Sequence, residues 1–124
     1  MVLTEVEGFI LSEVPYGETS KIINVFTKEY GVIGIMCKGA KSLKSKNRVS
    51  TMRLTYAKFN IYFKKEKLST LVSADIINPL KKIKEDIILI SYLSYLTELT
   101  SQVIKQSNSS RIYGDFISAI LKIE

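Results

Sequence analysis

Lys38, Lys41, Lys44, Lys46 and Arg48 stand two or three residues apart, with no acid among them, in a Gly- and Ser-rich segment that has neither strand nor helix periodicity. Cations spaced in this way neutralise a row of phosphates better than one small anion. Continuing to Lys67 adds Arg53, Lys58, Lys64, Lys65 and Lys67 against Glu66 alone, so this section is net +9 in a chain of net +6, and everything outside it sums to −3. Charge confined to one section is the footprint of a nucleic-acid-binding face. The plain alternative is a solvated loop in a lysine-rich chain.

Tyr56 and Tyr62 share one face of a period-2 run with Lys58, and aromatic rings beside a cation are what stacks and holds single-stranded bases. The same tyrosines could equally pack under a helix with their hydroxyls at the edge, and the pattern leaves both readings open. Tyr16 and Tyr30 lie at turns and are weaker candidates.

Other chemistries find little support. The chain has no histidine and one cysteine, so neither a Cys/His zinc site nor a histidine-dependent triad can be built from it. Cys37 follows Met36 in an apolar run and reads as a core residue. Gly34 to Ser42 approaches the phosphate-loop pattern G-x-x-x-x-G-K-[ST], but Ala40 is inserted before the lysine and the segment leads towards a strand, not a helix N-terminus. The carboxylates of Glu18, Asp75 and Asp86 share no motif, so no catalytic residue is assigned and the chain reads as a non-enzyme.

The elements that must carry the basic segment follow from periodicity. Strands are expected over Thr4–Val14, Lys21–Thr27, Val32–Lys38, Met52–Phe63 and Leu68–Ile77, with a turn at Val14–Gly17 and a bulge at Gly8. Five strands in under 80 residues suggest a small closed or partly closed barrel. After Pro79 the period changes: Asp86 is a candidate N-cap for a helix over Ile87–Gln106 with Leu89, Tyr92, Leu93, Leu96, Leu99 and Val103 on its face. Ile88, Ile90 and Tyr95 widen that apolar surface beyond one stripe. A second helix over Ile112–Ile123 is still periodic at Glu124 with no exit signal, so the chain is expected to be truncated, the alternative being a helical tail that packs on a partner.

With 124 residues, 46% hydrophobic and 24% charged, the chain suits one domain, or one small domain and an appendage. No apolar run approaches the roughly 20 residues needed to cross a bilayer. The first residues carry Glu5 and Glu7 and no basic region, so no secretory signal is expected and a cytoplasmic location follows.

Several segments in order, Glu7-Gly8-Phe9-Ile10-Leu11, Tyr16-Gly17-Glu18-Thr19-Ser20-Lys21-Ile22-Ile23, Phe26-Thr27-Lys28-Glu29-Tyr30-Gly31 and Lys38-Gly39-Ala40-Lys41, closely resemble the N-terminal region of the bacterial RecO family of recombination mediators. Lys84-Glu85-Asp86 and the following helix with Tyr92, Tyr95 and Leu99 continue the likeness. The resemblance implies a mainly β chain with C-terminal helices: a five-stranded OB-fold barrel over residues 1–78, followed over 79–124 by the start of an α-helical domain. It implies binding of single- and double-stranded DNA, strand annealing in the RecFOR pathway, action with RecR, single-strand-binding protein and RecA, and a nucleoid-associated location. It implies no cofactor in this stretch, although longer members often carry a four-cysteine zinc motif further on. The loop departs from the common Gly-Ala-Arg-Lys pattern by carrying Lys41-Ser42, which keeps one charge and loses the planar fork of arginine.

The expected DNA contacts are thus Lys38, Lys41, Lys44, Lys46, Arg48 and Lys58, with Tyr56 and Tyr62 beside them. The competing reading is a repair adaptor whose basic loop meets an acidic protein partner.

Overall fold

The computed structural model describes residues 2–41, 45, 47–104 and 110–124. Five strands, β1 (Leu3–Tyr16), β2 (Ser20–Thr27), β3 (Gly31–Cys37), β4 (Tyr56–Tyr62) and β5 (Ser69–Asn78), close a barrel in the order β1-β2-β3-β5-β4. That order and closure are those of an OB-fold. Every pairing is antiparallel except β3 with β5, which is parallel and only two residue pairs long, Ile35 with Ser69 and Met36 with Thr70. One-turn helix α1 (Asn47–Ser50) lies between β3 and β4, and α2 (Lys81–Glu85), α3 (Ile87–Ile104) and α4 (Ser110–Ile123) follow the barrel.

Strand alternation sorts the apolar residues into two cores. Val6 and Ile10 of β1, Ile23 and Val25 of β2, and Ala57, Phe59 and Ile61 of β4 fill the barrel interior. Phe9, Leu11, Phe26 and Tyr56 take the opposite side of the same strands and are covered by the helices. Phe116 of α4 meets Phe9 edge-on at 5.1 Å, and Tyr113 meets Phe26 edge-on at 5.2 Å. Burying β1 on both sides joins barrel and helices into one packed body.

Several boundaries move from their sequence expectation. β1 runs through Pro15 to Tyr16, and the turn falls at Gly17–Thr19, because β4 pairs with β1 only as far as Phe9. Beyond it the strand has one free edge, where a residue without an N–H is tolerated. The bulge lies at Leu11, where the register shifts between Ile10 and Ser12. Gly8 serves instead a close approach: a Cβ there would collide with Val25 Cγ1 and lie 3.0 Å from the Phe26 carbonyl oxygen.

The expected strand over Met52–Phe63 is shorter. Its first residues belong to a turn that meets β1 through Leu54, at φ 64°, whose N–H donates to the Ile10 carbonyl at 2.8 Å, and through the Thr55 carbonyl, which accepts from the Ile10 N–H at 3.0 Å. The two sides of β4 nevertheless differ as its alternation implies.

Asp86 is the N-cap of α3, its Oδ1 accepting from the N–H groups of Ile88 and Leu89 at 2.9 and 3.2 Å. The apolar residues of α3 encircle it, and packing selects one side. Leu93 and Thr97 are buried, whereas Ile88, Tyr92, Tyr95 and Leu99 are 76, 53, 64 and 45% exposed. Tyr92 and Leu99 therefore point away from the core that the periodicity assigned them to. The expected end of this helix at Gln106 lies outside the described residues. The short α2 was not legible in the sequence: its first N–H groups, from Lys82 and Ile83, donate to the Glu124 carboxylate at 2.8 and 3.0 Å, a partner far off in the chain.

Two glycines predict opposite responses in urea denaturation. Gly8→Ala should lose roughly 1–3 kcal/mol by overpacking against β2. Gly114→Ala, inside α4 with nothing within 4 Å of the added carbon, should gain roughly 0.5–1 kcal/mol from helix propensity.

Candidate nucleic-acid interface

The basic segment starts from a fixed point. Ala40 is fully buried in the barrel core, and exposed Lys38 and Lys41 flank it. Gly39 turns the chain at φ 69° and donates its N–H to Ser20 Oγ at 3.1 Å, while the Lys41 N–H donates to the Thr19 carbonyl at 2.8 Å. A small residue is needed at 40 to enter the barrel, and the turn at 39 suits glycine. The two lysines are thereby pinned beside the β1–β2 hairpin.

That hairpin brings an aromatic that sequence reasoning ranked low. Tyr16 pairs with Ser20 at the hairpin's end and is 57% exposed, so Tyr16, Lys38 and Lys41 share one edge of the barrel. The signal available in the sequence was only its place before a turn glycine. One acid, Glu18, sits at the hairpin tip. Arg48 is exposed on α1, whose start is held by the Asn47 N–H donating to Ser45 Oγ at 3.1 Å. Lys44 and Lys46 lie outside the described residues.

The remaining expected contacts are elsewhere. Lys58 is exposed in mid-β4 between Glu7 of β1 and Asp75 of β5 in register, a surrounding of mixed charge and not a basic row. Glu7 is nine residues along β1 from Tyr16, about 30 Å of strand contour. Tyr62, 37% exposed, lies at the far end of β4 opposite Leu3 and Thr70. Tyr56 needs correction as a base-stacking candidate. It is 9% exposed within the barrel–helix core, and its hydroxyl donates to Glu7 Oε2 at 2.7 Å. Its ring has no open face for a base, because covering the outside of β1 and β4 with helices consumed it.

The same Glu7 oxygen accepts from the Tyr113 hydroxyl at 2.8 Å, tying α4 to β1 and β4 through one carboxylate. Burial, and then the hydrogen bond to Glu7, push the Tyr56 hydroxyl up to about 12 from an ordinary 10.0. The same causes in the same order push Tyr113 higher still. A second tie lies near the basic segment: Lys21, 4% exposed, pairs with Glu13 at 3.2 Å, and the other Glu13 oxygen accepts the Arg53 N–H at 2.6 Å. Lys84 donates to Thr55 Oγ1 at 3.0 Å, and burial lowers its pKa. These lysines serve the fold.

Burial also pushes the Cys37 thiol up to about 12, which makes it inert. As the chain's single cysteine, it cannot supply a four-cysteine zinc site, and among the described residues no group of three or more candidate side chains could hold a metal. No helix among them is long and apolar enough to cross a membrane.

Comparison with known proteins gives a family match. The family profile described as "Recombination protein O N terminal" matches residues 1–80. The chain is similar to the DNA repair protein RecO of Halalkalibacterium halodurans, 39% identical over 97 residues, covering 78% of this chain and 38% of that protein. It is also similar to DNA repair protein RecO of Bacillus cytotoxicus, 35% identical over 106 residues (86% of this chain, 42% of the relative), and of Bacillus mycoides, 37% over 98 residues (79% and 39%). The chain thus spans about two-fifths of the length of the curated relatives it matches.

The shared carboxylate predicts a pH response. Because the folded state holds the Tyr56 and Tyr113 protons more tightly than the unfolded chain does, their stabilisation is complete below pH 10 and is lost as pH rises through the folded values. In an absorbance titration at 295 nm, Tyr56→Phe and Tyr113→Phe should each remove amplitude only from the part of the curve above pH 10. Removal of amplitude from the lower part would contradict the shared-carboxylate geometry. Cys37 should resist alkylation until the protein is unfolded.

Proposed function

The chain belongs to the RecO family, and on that premise we propose that its barrel binds the backbone of single- and double-stranded DNA as part of a repair and recombination mediator. The observation that carries this reading is the pinned pair Lys38 and Lys41, exposed on either side of buried Ala40 beside Tyr16. Among the described residues neither lysine is held in an ion pair, so both charges are free for phosphate. Arg48, exposed on α1, and Lys44 and Lys46 join the pair by sequence. Contacts of this type fix position without reading bases, and binding without sequence preference suits annealing of arbitrary complementary strands.

In this reading residues 1–78 are the DNA-binding unit and residues 79–124 begin a helical domain. The role is non-enzymatic, within the RecFOR pathway in the cytoplasm and at the nucleoid, with RecR, single-strand-binding protein and RecA as partners of the whole protein. The names of the relatives, DNA repair protein RecO, support the pathway. The adaptor reading is supported at a different place: the exposed stripe of Ile88, Tyr92, Tyr95 and Leu99 on α3 is a surface for protein, not for phosphate.

Fluorescence anisotropy with a labelled oligonucleotide tests the proposal. Affinity should fall steeply with salt, and Lys38→Glu/Lys41→Glu should weaken binding at least about tenfold while flattening the duplex log–log salt slope by about 2, near 0.9 for each phosphate no longer neutralised. Binding unchanged by this double reversal would refute the loop assignment.

A further inference from the structure

The basic segment leaves the barrel at Lys38 and rejoins it at Leu54, and its two ends lean on one carboxylate. The bulge at Leu11 creates this arrangement. Phe9 and Leu11 pack outward against the helices, and Ser12, the next residue, also turns outward, its Oγ accepting from Asn24 Nδ2 at 3.0 Å. Two successive outward residues shift the alternation by one, so Glu13 falls opposite Ile23 of the barrel interior. An acid is thereby placed at the end of an apolar core.

Both oxygens of that acid are engaged. Glu13 Oε1 accepts from Lys21 Nζ at 3.2 Å, and the Lys21 side chain is buried while that of Glu13 is only half-buried. Lys21 is in register with Cys37, the residue before Lys38, and the turn that carries Lys38 and Lys41 is bonded to Thr19 and Ser20 just ahead of it. Glu13 Oε2 accepts from the Arg53 N–H at 2.6 Å, across 40 residues of sequence. Arg48 and Arg53 are exposed on this returning limb, and between them the Met52 N–H donates to the Val49 carbonyl at 3.2 Å, closing a turn. Glu13 therefore holds the outgoing limb through Lys21 and the returning limb through Arg53. By charge alone, an acid beside phosphate-binding cations opposes them. By geometry, it sets where the cations of the two limbs stand.

We propose that Glu13 is a positioning residue of the DNA interface: by accepting from Lys21 and from the Arg53 N–H, it fixes the returning limb with Arg48 and Arg53 relative to Lys38 and Lys41. The inference rests on the DNA-binding reading above and adds to it a residue that bears the same sign of charge as the ligand and touches none of it. Cations on two limbs meet a regular row of phosphates only while the limbs keep a fixed separation, and contacts to phosphate act by setting register.

Glu13→Gln and Glu13→Ala carry the same net charge, one unit more positive than the wild type, but only glutamine keeps an oxygen for the Arg53 N–H. Anisotropy of a labelled duplex, titrated with the 124-residue chain at several salt concentrations, separates them. Glu13→Gln should bind at least as tightly as the wild type. Glu13→Ala should bind about three- to tenfold more weakly than Glu13→Gln, with a log–log salt slope flatter by about 1 to 2, near 0.9 for each phosphate that Arg48 and Arg53 no longer neutralise. A smaller folded fraction lowers the apparent affinity and leaves the slope unchanged. Because both replacements strand Lys21 without its counter-charge, the pair is repeated in Lys21→Met chains, where the same difference between Gln and Ala is expected. Equal affinity and slope for Gln and Ala in both backgrounds overturns the inference, as does a loss of affinity with the slope unchanged. If duplex binding still depends on Lys38 and Lys41 in that case, the positioning role alone falls. A wild-type chain that binds no duplex removes both readings.

Discussion

Burial of β1 on both faces is the constraint from which the rest of the structure follows. Val6 and Ile10 point into the barrel, Phe9 and Leu11 point out, and all four are at most 7% exposed. A strand in that position needs a second layer on its outer side, and α2, α3 and α4 supply it through Ile83, Leu93, Tyr113 and Phe116. Glu7, a carboxylate on this covered side, accepts from two tyrosine hydroxyls of different layers. Removing either donor would leave this part-buried tie half made and loosen the hold of the helices on β1.

The same constraint decides where a ligand can go. Helices occupy the outside of β1 and of the start of β4, and this takes Tyr56 out of play. What stays open is the hairpin edge with Tyr16, Lys38 and Lys41, and the β2–β3 side with its groove. Fixed backbone on both open surfaces means that cations and rings are presented without a large ordering cost at the moment of binding. The parallel β3–β5 seam, only two residue pairs long, is the narrowest pairing of the barrel, and the groove lies beside it.

Much of the barrel was legible in the sequence because period-2 alternation and turn residues are local signals. All five strands, the inner set Ala57, Phe59 and Ile61, and the Asp86 cap belong to that class. What was not legible depended on partners distant in the chain. Tyr56 was open to two readings until Tyr113, Phe116 and Glu7 were placed around it. The Tyr30–Phe63 stack joins residues that share no motif, and α2 borrows its cap from Glu124. The outward turn of Tyr92 and Leu99 was hidden because apolar residues surround α3 and periodicity alone cannot choose its buried side. Among the site residues, Lys38 and Lys41 were visible as charge, but their anchoring through Ala40, Ser20 and Thr19 was not.

The most direct measurement of the central claim is a photocrosslinking map of the chain on single-stranded DNA, with adducts located by peptide mass spectrometry. Adducts on the Tyr16 hairpin and on the segment from Lys38 to Arg48, with none on α3, are the result predicted here. Adducts concentrated on α3 and α4, with the barrel edge unmodified, would contradict the account.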